Sequence, residues 1–336
     1  MATSTSAPIV KPAELTRALA DLHKVRPWHG LVRSAITIPA VLLCFAVALF
    51  AQSIWLFLVA GICGALLLGT IAITTHDAIH HTLTGWAWFD EILPRVVSYP
   101  VLWPHGLYSE LHKIHHKMNG QDIEDPERMQ WTQEEYEKAS GVGRWAFRNQ
   151  FFLAVFVSGG FGFIYEHFQQ GIKFGKRSRA VRRALLQDVC AIVVLNVTLY
   201  SIMAHFNLSL QYLMFYLFLE RLGGGILQFR AYIEHYGLWG KQANYFETQI
   251  FTCRNIKTNL LMSLYFNRLN FHSVHHAFPT IPFYNLPVAH SRLSALYHEK
   301  GTDLVEADGY LKTAVQLARA PRFIPLSPAP QFSLKA

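Results

Sequence analysis

The chain is 336 residues long, 51% hydrophobic and 14% aromatic, with only 15% charged residues and a formal net charge of +8. Soluble domains carry roughly 25% charged residues, so the composition leans away from a soluble globule and toward a membrane protein. Four cysteines over this length also exclude a disulfide-stapled scaffold.

In chain order, residues 1–12 read as unstructured, and 13–33 as a helix at the membrane surface or in the cytoplasm. From Ser34 to Thr75 no Asp, Glu, Lys, Arg or His interrupts the chain. As helix this run would extend about 63 Å at 1.5 Å per residue. A hydrocarbon core is about 30 Å thick and takes about 20 residues. The run therefore predicts two membrane passes, 35–51 and 54–74, turning at Ala51-Gln52-Ser53. It begins too far along the chain for a secretory signal peptide. The second pass delivers His76-Asp77-Ala78-Ile79-His80-His81.

Residues 86–103 carry Trp86, Trp88, Phe89, Tyr99 and Trp103 but also charges and prolines, and read as interfacial. His112-Lys113-Ile114-His115-His116 follows, then an acidic, polar stretch at 119–140 expected to cap the site. Residues 145–168, with Gly159, Gly160 and Gly162, again read as interfacial rather than spanning. The basic run 173–183 flanks a second apolar block. That block, broken near His205-Phe206-Asn207, predicts passes at 185–204 and 208–229, the latter containing Glu220 and Arg221. Beyond it stands His272-Ser273-Val274-His275-His276.

Basic residues gather in the N-terminal segment (Lys11, Arg17, Lys24, Arg26, Arg33) and in the long middle segment, whereas the turns near Gln52 and Asn207 have none. The positive-inside rule then places both termini and every histidine cluster in the cytoplasm. The expected fold is all-α and integral to the membrane: four transmembrane helices in two hairpins, with a cytoplasmic helical cap carrying the histidines. The expected organisation is an N-terminal segment 1–33, a membrane domain 34–318 and a flexible, proline-rich tail 319–336.

On a helix, residues at i, i+3 and i+4 share a face. His112, His115 and His116 therefore converge, as do His272, His275 and His276, while His76 and His80 face together and His81 points away. Neutral imidazole is the commonest protein ligand for transition metals. A tetrahedral zinc takes four ligands; three such clusters exceed that and suit a pair of metal ions. Asp77 and Glu234 are the carboxylates expected to hold ring N–H groups of the ligands. Asp125-Pro126-Glu127 reads equally well as such a partner or as a turn. Cys44, Cys63, Cys190 and Cys253 lack metal-site spacing and read as small buried hydrophobes.

The three boxes, His76-x3-His80, His112-x2-His115-His116 and His272-x2-His275-His276, resemble those of the membrane fatty acid desaturase and hydroxylase superfamily over about residues 70–300. The third box continues as Ala277-Phe278-Pro279-Thr280-Ile281-Pro282-Phe283-Tyr284-Asn285-Leu286, similar to the HHxFPxIPxYxL extension of acyl-lipid desaturases. Tyr232-Ile233-Glu234-His235-Tyr236-Gly237 is similar to the NYxEHYG element of membrane alkane hydroxylases, and this resemblance adds His235 to the ligands. It implies two iron ions, O₂ as co-substrate, and a lipid or acyl-chain substrate drawn from the membrane. It also implies an external electron donor of ferredoxin or cytochrome b5 type, since no fused donor motif is visible; nucleic acid has no place in it. The reaction expected is insertion of a double bond into a fatty acyl chain. Hydroxylation or ketolation of a carotenoid, alkane or other lipid is the alternative on the same scaffold. A metal transporter would keep its ligands inside the spans, and a zinc hydrolase would leave most of the histidines without a role.

Overall fold

The computed structural model describes residues 7–319 and 322–324. Residues 1–6 and nearly all of the tail read as flexible lie outside them. The described part of the segment read as unstructured is packed. Val10 is fully buried, and its N–H donates to Glu247 Oε1 at 3.1 Å.

Among the described residues four helices are long and apolar enough to cross a membrane: Pro27–Phe50, Ile54–Ile79, Gln150–Gly175 and Arg179–His205. Three coincide with expected passes. The first two turn where expected, and the Ser53 hydroxyl caps the second by accepting from Trp55 N–H at 3.3 Å. Half of the apolar window of Ile54–Ile79 is buried, against 11% for Arg179–His205. The former is therefore the inner helix, and the latter turns Val193, Val194 and Val197 outward, as a lipid-facing surface requires. Cys63 and Cys190 lie on such exposed faces rather than in the buried positions expected.

The Gln150–Gly175 helix is as long and apolar as a span needs, which the interfacial reading of 145–168 did not expect. It runs for 26 residues, taking in a π-helical stretch at Leu153–Ser158. Its glycines are contact points, not breaks. A Cβ built on Gly224 would lie 2.1 Å from the Gly160 backbone nitrogen, so glycine on both sides lets the two backbones meet. Gly224→Ala gains helix propensity of about 1 kcal/mol but meets backbone that cannot turn aside. Overpacking, at about 1–3 kcal/mol, is expected to win. Thermal unfolding in detergent should show a lower midpoint, and an unchanged or higher midpoint would contradict this contact.

The expected pass at 208–229 is helical but built in three parts: Ser209–Phe218, a π-helical Leu219–Gly223, and Gly224–His235. Within the π-helical turn Glu220 and Arg221 pair with each other. Arg221 also reaches the carbonyls of Val157 and Ser158, so both charges are spent on protein.

The remaining residues form a second layer at the end of these helices where His76 and His235 emerge. The helices Tyr245–Thr252, His272–Ala277, Leu286–Glu299 and Tyr310–Ala318 close around one core that includes Ile73, Ile233, Ile250, Val274, Leu293 and Tyr297. The fold is not purely helical. Two short parallel strand pairs fasten this layer, Asn255–Lys257 with Glu306–Asp308 and Trp131–Thr132 with Phe323–Ile324.

Candidate metal centre

Each histidine box reaches the site on a helix. His76 lies in the last turn of Ile54–Ile79, and His80 caps that helix. The His105–Met118 helix carries the second box, and the short His272–Ala277 helix the third. His235 closes Gly224–His235. The rings fall into two groups. His76, His80, His112, His116 and His275 form the first, with ligand-capable atoms all within 4.8 Å of one another. His235, His272, His276 and Cys253 form the second on the same criterion. His115 stands beside the second group, its ring 4.9 Å from His235 and 5.1 Å from His276.

The doublets are therefore divided. His116 and His275 turn to the first group, and His115 and His276 to the second. Neighbouring residues on a helix point about 100° apart, so a consecutive pair feeds two sites that lie side by side.

The donor atoms suit metal ions. His112 Nε2 is 3.0 Å from Nε2 of both His76 and His116, and His235 Nε2 is 2.8 Å from His272 Nε2. Two nitrogens bonded to one metal at about 2.1 Å and at right angles would stand about 3.0 Å apart. The Nε2 atoms of His80, His115, His275 and His276 are buried with no hydrogen-bond partner among the described residues, a costly state for polar atoms unless something binds them. Burial pushes His116, His272, His275 and His276 well below the ordinary histidine range. That favours neutral imidazole, the form that binds metal.

Several of the opposite ring edges are held by the protein, while Nδ1 of His76, His116 and His272 has no hydrogen-bond partner among the described residues. Asp125 accepts from His115 Nδ1 at 2.8 Å and Glu127 from His112 Nδ1 at 2.9 Å, so the Asp125-Pro126-Glu127 turn serves the histidines directly. Burial opposes charge on His115, but the Asp125 and Glu127 carboxylates outweigh it and push the group up to about 9. Glu234 Oε2 is 3.2 Å from His272 Nδ1 and 2.7 Å from Arg230 Nη2. Burial raises Glu234 to about 7 against the lowering effect of Arg230. Asp77 stands farther off, 3.7 Å from His76 Nδ1, and accepts from Asn267 at 3.0 Å.

Three participants carried no sequence signal. Gln249 faces His276 Nδ1 at 3.1 Å, and Arg230 holds Glu234. Cys253, read as a plain hydrophobe, places Sγ 3.8 Å from His235 Nδ1 and takes an N–H from Asn119 at 3.2 Å. None has a local spacing that announces it. His81 takes a left-handed backbone, φ 53°, and joins neither group. His23, His290 and His298 bond to Thr280, Glu306 and Asp303, away from the site.

A cavity of about 510 Å³ runs alongside. Leu68, Val101 and Leu219 line it among the apolar helices, and His76, His112, His235 and His272 line it at the site, so it touches both groups. A largely apolar space of this size accepts one lipid-sized molecule. Imidazole-rich sites suit zinc, copper or iron.

No curated protein matches the chain. Residues 52–306 match the family model described as Fatty acid desaturase, a span that begins at the turn before the inner helix and ends beyond the third histidine box. With the boxes gathered on one cavity among apolar helices, the match settles the classification: this chain belongs to the membrane fatty acid desaturase and hydroxylase superfamily.

Proposed function

We propose that the protein is an O₂-dependent di-iron oxidoreductase that introduces a double bond into a fatty acyl chain. The observation that carries this reading is the pair of histidine groups on the wall of one cavity lined by lipid-facing helices. His76, His80, His112, His116 and His275 would hold one iron. His235, His272, His276 and His115 would hold the other, with Cys253 behind His235. Bound iron would supply activation of O₂ and removal of hydrogen from an unactivated C–H bond. The protein's own part is to keep His116, His272, His275 and His276 neutral by burial, to fix the outer edges of His112, His115 and His276 with Glu127, Asp125 and Gln249, to set Glu234 against His272, and to lay the chain beside them.

The reading includes a membrane domain of two helical hairpins over about 34–318, with the site and both termini on the cytoplasmic side, and a separate ferredoxin or cytochrome b5 as electron source. His76 lies in the last turn of Ile54–Ile79 and His235 ends Gly224–His235, and their meeting in one centre supports a single site at one membrane face, which the basic segments are expected to flank. The Tyr232–Gly237 stretch favours a second reading, hydroxylation of a lipid on the same scaffold.

One experiment separates these. The chain is expressed in a host with a defined lipid profile, and the purified protein is analysed for metal. The expected result is two irons per chain and new unsaturated acyl chains. Oxygenated lipids with two irons would favour the second reading. One zinc and no O₂ consumption would reject both.

A further inference from the structure

Asn119 ends the helix that carries the second histidine box, and it is buried. Its side-chain nitrogen lies 3.1 Å from Gln249 Oε1, 3.0 Å from Thr252 Oγ1 and 3.2 Å from Cys253 Sγ. Gln249 Oε1 is in turn 3.1 Å from His276 Nδ1, and Cys253 Sγ is 3.8 Å from His235 Nδ1. One carboxamide from the second box therefore touches the outer partners of two rings that belong to other helices. Gly120 permits this close approach: its φ is 74°, and a Cβ there would overlap Thr252.

A side-chain amide can present either end to a neighbour, so its direction is set by groups that cannot reverse. Two backbone carbonyls set it here. The Thr252 hydroxyl gives its hydrogen to the Thr248 carbonyl at 2.6 Å. It therefore meets Asn119 with lone pairs, and Asn119 must turn its NH₂ toward it. Gln249 Nε2 donates to the Asn119 carbonyl at 3.3 Å, which leaves Gln249 Oε1 as the end that accepts from the Asn119 NH₂. That oxygen has no hydrogen to give. His276 Nδ1 faces it and must carry the ring proton, so His276 Nε2 keeps its lone pair. His276 Nε2 is buried without a hydrogen-bond partner among the described residues, as a nitrogen left for an ion would be.

We propose that Asn119 is a positioning residue of the second group, whose NH₂, acting through Gln249, holds His276 in the tautomer with Nε2 free to bind the ion. This role rests on the reading of that group as an iron site. Carboxylates face Nδ1 of His112 and His115 directly, and a carboxylate accepts whichever way it turns. A neutral amide does so only when its oxygen faces the ring, and Asn119 supplies that direction.

The test is a pair of amide-to-acid exchanges of equal size. In Gln249→Glu both side-chain oxygens accept, so His276 Nδ1 still gives its proton to one of them. In Asn119→Asp the donor is lost, and Gln249 Oε1 faces an oxygen. Gln249 is relieved by reversing, which turns its NH₂ on His276 Nδ1 and moves the ring proton to Nε2. Iron(II) is titrated without oxygen into each metal-stripped, full-length protein in detergent, against a competing chelator at about pH 8, where carboxylates are ionised. Asn119→Asp is expected to bind iron about 10–100-fold more weakly than wild type. Gln249→Glu is expected to bind at least about tenfold more tightly than Asn119→Asp. Equal affinities, or the reverse order, overturn the proposal, because a role in packing alone does not separate the two exchanges. If Asn119→Asp fails to fold, Asn119→Leu, which removes the NH₂ without adding an acceptor, takes its place with the same order expected. A wild-type chain that takes up no iron sinks the oxidoreductase reading and this role with it. A loaded wild type with equal exchanges sinks this role alone.

Discussion

His275→Ala is expected to abolish product formation and to remove about half or more of the bound metal. His275 belongs to the first group, its ring 4.7 Å from His76 and 5.1 Å from His116. Its Nε2 is buried without a hydrogen-bond partner among the described residues, as a ring nitrogen left for a metal would be. Loss of a residue that only supports a ligand typically costs 10–100-fold in affinity or activity; losing the ligand itself should cost more than about 100-fold by that measure. The parallel change on the other side, His115→Ala, should do the same through the second group. Metal content by elemental analysis and product by lipid analysis provide the check, on protein shown to be folded by size exclusion. A variant with full metal and full activity would remove that residue from the site.

The second large effect is expected at Glu234. This carboxylate is wholly buried, and it faces Arg230 on one side and His272 on the other. Glu234→Gln keeps the shape and one acceptor but removes the charge that balances Arg230. Metal affinity is expected to fall about 10–100-fold. Glu234→Ala leaves the Arg230 guanidinium buried and unpaired, and breaking such a pair costs about 3–5 kcal/mol. The alanine variant should therefore lose folded protein as well as metal. A metal titration and a thermal melt on both variants separate the two effects. If Glu234→Gln binds metal as tightly as wild type, the carboxylate does not support His272.

Much of the site was legible because its signals are local. The boxes declare themselves by helical spacing, and each sits where a helix ends or begins. Glu234 stands one residue before His235, and the turns at Ser53 and Asn207 are marked by polar residues between apolar runs. The helix through 150–175 was hidden because its glycines read as breaks. Their role, close approach to Gly224, depends on a partner more than 60 residues away. Gln249 and Cys253 were hidden for the same reason: the Tyr245–Thr252 helix packs on His272–Ala277 only in the folded chain. Spacing also gives the membership of each box but not its allocation between two ions, which tertiary packing decides.

That allocation has a consequence for how the centre assembles. His115 and His116 share one rigid turn of helix, as do His275 and His276, so an ion that orders one ring of a doublet also sets the direction of the other. The first ion to arrive thus prepares the seat of the second across a shared backbone. Filling should be all-or-none, with half-loaded molecules scarce at every stage of a titration.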